Sequence, residues 1–118
     1  MEQKVTFQSD GLRLSGIVHT PEDLRPGERR PAFLVLHGFG GNKGGHGQTV
    51  VANQLTQWGY VTMRIDFRGC GESEGEHGRI ICLEQVADTS NAVIYMAGRS
   101  DVDPQRVALV GKIGRAHV

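Results

Sequence analysis

No apolar run in the 118 residues approaches the roughly 20 that a bilayer-crossing helix needs, so a helical membrane span is not expected. The opening Met1-Glu2-Gln3-Lys4 lacks the basic-then-apolar layout of a secretion signal, which makes the cytoplasm the expected location. Excess charge is also lacking: 13 basic and 13 acidic residues are interspersed and the formal net charge is zero. That leaves no electrostatic argument for a nucleic acid or an anionic membrane as partner. Cysteine is scarce, and Cys70 and Cys82 read as two unpaired thiols rather than a disulfide framework. His19, His46 and His77 fall in unrelated segments without metal-ligand spacing, so neither a metal nor another cofactor is expected.

Glycine is what the chain has in plenty. Its 17 glycines cluster rather than recur, as they do in tight functional loops and not in low-complexity or collagen-like sequence. Between the clusters the pattern is regular. Val5-Thr6-Phe7 and Leu12 to Val18 read as strands joined at Ser9-Asp10-Gly11, a hairpin signal. Ala32 to Leu36 is apolar without alternation, the mark of a strand covered on both faces in a parallel sheet. Val51, Ala52, Leu55 and Trp58 then recur at helical spacing before Gly59, and Tyr60 to Ile65 forms the next strand. A second helix is predicted with Leu83, Val86, Ala87, Ser90, Ile94 and Ala97 on its core face, ending at Gly98. Asp101 to Pro104 turns into a last strand, Arg106 to Val110. Strand-strand-strand-helix-strand-helix-strand, with no internal repeat or interdomain linker, predicts one α/β domain or part of one.

In open α/β sheets chemistry sits beyond the carboxyl ends of the strands, where both glycine-rich loops fall. The first is His37-Gly38-Phe39-Gly40-Gly41-Asn42-Lys43-Gly44-Gly45, and the second is Asp66-Phe67-Arg68-Gly69-Cys70-Gly71-Glu72-Ser73-Glu74-Gly75. Neither binds phosphate by a known spacing. Lys43 is followed by Gly44 rather than Ser or Thr, so a P-loop fails. Lys43 and Glu74 stand where a dinucleotide fingerprint needs its third glycine. Small residues after a strand do let a substrate approach main-chain N–H groups, which can hold the negative oxygen formed when a carbonyl is attacked.

Three motifs in order, H-G-F-x-G-N-K after the third strand, D-F-R-G-x-G-x-S after the fourth and V-D-P-x-R-V-x-L-V-G into the fifth, resemble the α/β-hydrolase fold. The chain is most similar to serine esterases of the cinnamoyl and feruloyl esterase kind and to serine aminopeptidase-like hydrolases, from about Val5 to Gly111. The resemblance implies that the Phe39 backbone N–H is one oxyanion donor, and that His37 and Gly38 are scaffold. It also implies that Asp66, Arg68, Gly69, Gly71 and Ser73 brace the floor of the site. Asp66 and Arg68 are expected to form a structural ion pair, and Ser73, outside a G-x-S-x-G turn, to make a loop hydrogen bond. In such hydrolases nucleophile, acid and base follow in the order Ser, Asp, His, all after the fifth strand.

Gly111 is followed by Lys112-Ile113-Gly114 instead of x-Ser-x-Gly. Two explanations fit: a natural pseudoenzyme with a diverged elbow, or a non-native tail over 112–118. Ile-Gly-Arg-Ala-His-Val is what a common short-read sequencing adapter encodes, with a stop as its next codon. The second is the expectation, with 1–111 a partial hydrolase domain and His117 outside the resemblance. The parent would cleave small carboxylic esters, or peptide-like amides. An aspartate as nucleophile would make it a dehalogenase instead, and a non-catalytic ligand- or partner-binding module is the rival class.

Overall fold

A computed structural model describes residues 1–38 and 41–111. The elements in chain order are β1 (Glu2–Ser9), β2 (Leu12–His19), β3 (Arg30–Leu36), α1 (His46–Gln57), β4 (Val61–Ile65), α2 (Cys82–Ala97) and β5 (Val102–Gly111). They build one five-stranded sheet in the order β1-β2-β4-β3-β5. β4, β3 and β5 run parallel, while β1 and β2 join antiparallel at one side. This is the α/β architecture expected from the alternation of strands and helices.

Local chemistry explains the joints. Ser9 pairs with Leu12, leaving Asp10 and Gly11 as a two-residue loop with φ of 50° and 80°. Two consecutive left-handed residues match the twist of the flanking strands, which is why Asp-Gly serves as a hairpin turn. At the other edge, Arg30 pairs with Val102 but Ala32 pairs with Val107, so β5 carries extra residues there. Pro104 lies in that irregular stretch, where its missing N–H costs no ladder bond.

Every residue of β4 is buried. Alternate side chains of a strand point to opposite faces, and here each face meets a different helix. Thr62 and Arg64 face α1: Thr62 Oγ1 lies 2.9 Å from Thr56 Oγ1, and Arg64 Nη1 donates to Thr49 Oγ1 at 3.0 Å. Val61, Met63 and Ile65 face the main core with Ala92 and Met96 of α2. Phe7 on β1 and Tyr95 on α2 close that core with ring centroids 6.0 Å apart.

The helices depart from the sequence reading in their facing. The core side of α2 is Asp88, Ala92 and Met96. The stripe Leu83, Val86 and Ile94, expected to be buried, is 80%, 60% and 67% exposed. Apolar periodicity gives the phase of a stripe but not which stripe meets the sheet. Here Asp88 is drawn inward by Arg68 and Ser9, and the small Ala92 lets the helix approach closely. Trp58 likewise stands 68% exposed at the C-terminal cap of α1, where only Ala52 is fully buried. Residues 112–118, where a non-native tail is expected, lie outside the described residues.

Truncating Met96 to alanine should cost roughly 2–5 kcal/mol, while Ile94→Ala should stay within about 0.5 kcal/mol at dilute protein. Urea unfolding of the two variants checks this, and a reversed order would put the periodic stripe back in the core.

Candidate active site

The site is built where β3 and β4 end. His37, the first residue after β3, is buried, and its ring meets Phe67 edge-on at 4.9 Å. Its Nε2 accepts the Phe67 backbone N–H at 3.2 Å, and its Nδ1 lies 2.8 Å from the Gly38 carbonyl. Both bonds coexist only in the neutral ring with its proton on Nδ1. With both nitrogens committed to the main chain, His37 holds two loops together and has no nitrogen to offer a substrate. The Gly38 carbonyl also accepts the Gly41 N–H at 3.0 Å. Phe39, the expected oxyanion donor, lies outside the described residues.

The far end of this loop is anchored through Lys43. The fully buried Asp66 carboxylate accepts the Lys43 backbone N–H and the Lys43 ammonium, each at 2.6 Å, and the Glu72 N–H at 2.9 Å. Lys43 Nζ also reaches Glu72 Oε1 at 2.7 Å. From the strand below, Arg64 Nη1 donates to the Lys43 carbonyl at 2.7 Å. Burial disfavours the Lys43 charge, yet its bonds to Asp66 and Glu72 outweigh that and raise its pKa above the usual lysine value. The Lys43 bond, and then that of Lys4, holds Glu72 below the ordinary carboxylate range. Arg64 Nε donates to His19 Nε2 at 3.0 Å, which leaves the His19 proton on Nδ1, 3.8 Å from Glu2 Oε2. Burial, and then the Arg64 charge, lower the His19 pKa.

The expected Asp66–Arg68 pair is not formed. Arg68 turns to α2 instead: Nε and Nη2 fork onto Asp88 Oδ1 at 3.0 and 2.9 Å, and its backbone N–H meets Asp88 Oδ2 at 2.9 Å. Its Nη2 also bonds Asp10 at 2.7 Å, and Ser9 Oγ donates to Asp88 at 2.7 Å. Asp66 faces the first glycine-rich loop through Lys43, whereas Arg68 lies in the turn from Phe67 to Cys70 and is directed to α2. Asp88 then ties the hairpin, the loop and α2 together. The hydrogen bonds that Arg68 donates to Asp88, and then the one it donates to Asp10, raise the guanidinium pKa.

The remaining loop residues brace this arrangement. Ser73 Oγ donates to the Asp66 carbonyl at 2.6 Å and accepts the Ser15 N–H at 2.8 Å. Gly69 donates to the Glu74 carbonyl at 3.0 Å and accepts from Gly78 at 3.3 Å. Gly71 has φ of 50°, and a Cβ there would run into the Asp66 carboxylate. Sequence reasoning missed Lys43 and Asp88 as organisers. Lys43 reads from sequence as a residue that breaks phosphate-binding spacings and closes the H-G-F-x-G-N-K motif, and Asp88 lies off the periodic apolar stripe. The helical spacing of Asp88 with the apolar Ala92 and Met96 is the available signal.

A family profile described as serine aminopeptidase, S33, matches residues 27–112. The chain belongs to this family. YfhR of Escherichia coli is 33% identical over 111 residues, which is 92% of this chain and 37% of YfhR. The α/β hydrolase GrgF of a Penicillium species is 27% identical with a TM-score of 0.84, covering 94% of this chain and 37% of that one. Est1E of Butyrivibrio proteoclasticus, solved with ferulic acid bound, shares the fold at a TM-score of 0.83 and 22% identity, over 91% of this chain and 41% of its own. The chain thus spans about a third of the length of the curated relatives it matches. It has the α/β-hydrolase fold. Among the described residues no cluster of His, Cys, Asp and Glu could hold a metal, and no helix is long and apolar enough to cross a membrane.

Two outcomes follow from the anchored loops. Gly71→Ala should cost at least about 2 kcal/mol, combining left-handed backbone strain with displacement of the Asp66 carboxylate; thermal and urea melts measure it. Acid should destabilise in two stages. His19 has a folded pKa below its unfolded 6.5, so its contribution is complete above 6.5 and is lost as pH falls toward the folded value. Glu72, depressed below 4.5, loses its contribution lower still. His19→Asn should flatten the first stage of a urea-midpoint profile and leave the second.

Proposed function

We propose that residues 1–111 are the front of a serine hydrolase domain that cleaves carboxylic esters or amides by a Ser-His-Asp mechanism. One observation carries this reading: Leu36 pairs with Gly111 in the β3–β5 register. The loop beginning at His37 and whatever follows Gly111 therefore emerge side by side, at the carboxyl edge of the parallel strands. A serine on a turn after Gly111 would sit beside His37 and Gly38, with its attack directed at a carbonyl held between them. The Phe39 N–H would take up the oxyanion, and a histidine from further along the domain would accept the serine proton. His37 is excluded as that base by its two main-chain bonds.

On this reading the described residues supply the preorganised frame, and the nucleophile, acid and base belong to sequence beyond Gly111. The 118-residue chain itself is then inactive. Est1E, solved with ferulic acid bound, makes esters of aromatic acids the first substrates to assay.

The test is the source DNA beyond the Gly111 codon, followed by expression of the reading frame it defines. A Gly-x-Ser-x-Gly turn is expected, with fluorophosphonate labelling and p-nitrophenyl ester turnover that both vanish on Ser→Ala. The 118-residue chain should show neither. Turnover by that chain, or an aspartate or no nucleophile at the turn, overturns the reading.

A further inference from the structure

Arg64 is a buried cation without an acid of its own. Its guanidinium donates to three neutral acceptors: His19 Nε2 at 3.0 Å, the Lys43 carbonyl at 2.7 Å and Thr49 Oγ1 at 3.0 Å. Among the described residues no carboxylate is in ion-pair contact with it, and Glu2 and Asp66 act on it only through space. Buried charges are normally paired. Here the charge is held by neutral lone pairs, and one of the three belongs to a ring that can take a proton.

His19 ends β2, and its surroundings decide what that proton does. β4 supplies Arg64, while the start of the chain supplies the Met1 ammonium and Glu2, whose Oε2 stands 3.8 Å from the ring Nδ1. Glu22 and Asp23, after β2, share with His19 a surface hollow of about 520 Å³, to which α1 brings only uncharged residues such as Asn53. Asp23 is already paired with Arg30. A proton on Nε2 turns that acceptor into a donor facing the Arg64 Nε–H. Glu2 is placed to hold the charged ring; Arg64 has no such acid, so the guanidinium is the group that yields. Its Nε and Nη1 belong to one rigid plane. Turning Nε away from His19 therefore also misaligns Nη1 from the Lys43 carbonyl and from Thr49.

What Arg64 supports there is the junction between the first glycine-rich loop and α1. The Gly45 carbonyl accepts both the Thr49 N–H at 3.0 Å and the Thr49 hydroxyl at 2.9 Å, and no side chain caps this helix start. We infer that His19 and Arg64 form a pH-sensitive latch, in which protonation of His19 withdraws Arg64 from the Lys43 carbonyl and Thr49 and loosens the first turn of α1. The bonds from Lys43 to Asp66 remain, so the loop end loosens without detaching. Burial and the Arg64 charge hold the His19 pKa below 6.5 while the latch is closed. With Arg64 withdrawn the ring takes its proton more readily, so falling pH favours the open latch. His19, Arg64 and Lys43 are all buried within the described residues, and the latch is complete between β2 and β4.

Nuclear magnetic resonance of the 118-residue chain, titrated from neutral pH toward 4.5, tests this, since Glu72 responds lower still. Ring nitrogen shifts follow the protonation of His19, and amide hydrogen exchange, corrected for its intrinsic pH dependence, follows Thr49. Thr49 exchange should accelerate at least tenfold with the midpoint of the ring titration, while Leu34 and Met63, paired on the central strands, keep their protection. His19→Gln, whose amide oxygen can accept from Arg64 but cannot titrate, should leave Thr49 protected throughout. Glu2→Gln, at an exposed position, should move the ring and Thr49 midpoints down together. Thr49 protection that survives His19 protonation overturns the latch, because the ring has then swung away and left Arg64 in place. So does a ring that stays neutral down to 4.5, or a pair of midpoints that separate in Glu2→Gln. Acceleration that persists in His19→Gln assigns the effect to another group such as His46, and acceleration shared by Leu34 and Met63 is global unfolding; either result also overturns it.

Discussion

The bond between Lys43 and Asp66 is the constraint on which the site depends. A fully buried carboxylate is tolerable only when its acceptors are filled, and Asp66 is filled from the first glycine-rich loop and from its own. Neither loop can shift alone without unpairing a buried charge. This gives geometric stiffness to two glycine-rich segments. Arg64 adds the third support, reaching from the strand floor to the Lys43 carbonyl. The His37 ring does the same at the opposite end of the first loop.

A second ionic centre, Arg68 with Asp88, acts on the other face of the sheet. It fastens α2 to the hairpin turn through Asp10 and Ser9. The two centres divide the work: one orders the rim of the site, the other sets the facing of the helix beneath it. The inward turn of Asp88 is also what leaves the apolar side of α2 pointing outward.

Element order, strand identity and the hairpin were legible from local pattern. Asp10-Gly11, the unbroken apolar run of β3 and the helix stop at Gly59 each act within a few residues. The partner of Arg68 was not legible, because the choice between Asp66 and Asp88 depends on how the chain reverses after β4. The core face of α2 escaped for a related reason. Burial of Asp88 is set by an arginine and a serine distant in sequence, and no periodicity within the helix carries that information. Lys43 shows the same limit, since its partner Asp66 lies 23 residues away.

The position of β4 has a consequence for how the chain assembles. The β1–β2 hairpin closes over a two-residue loop and can form early, and β3 is synthesised next. Yet β2 and β3 never touch as neighbours; β4 must enter between them, pairing Gly16 with Ile65 on one side and Val35 with Arg64 on the other. Closing these long-range pairings is the slow part of building such a sheet. Until β4 is in place, the hairpin and β3 are two unconnected pieces, each with bare strand edges. The strand with no surface in the finished fold is therefore the one whose arrival governs the lifetime of the sticky intermediate.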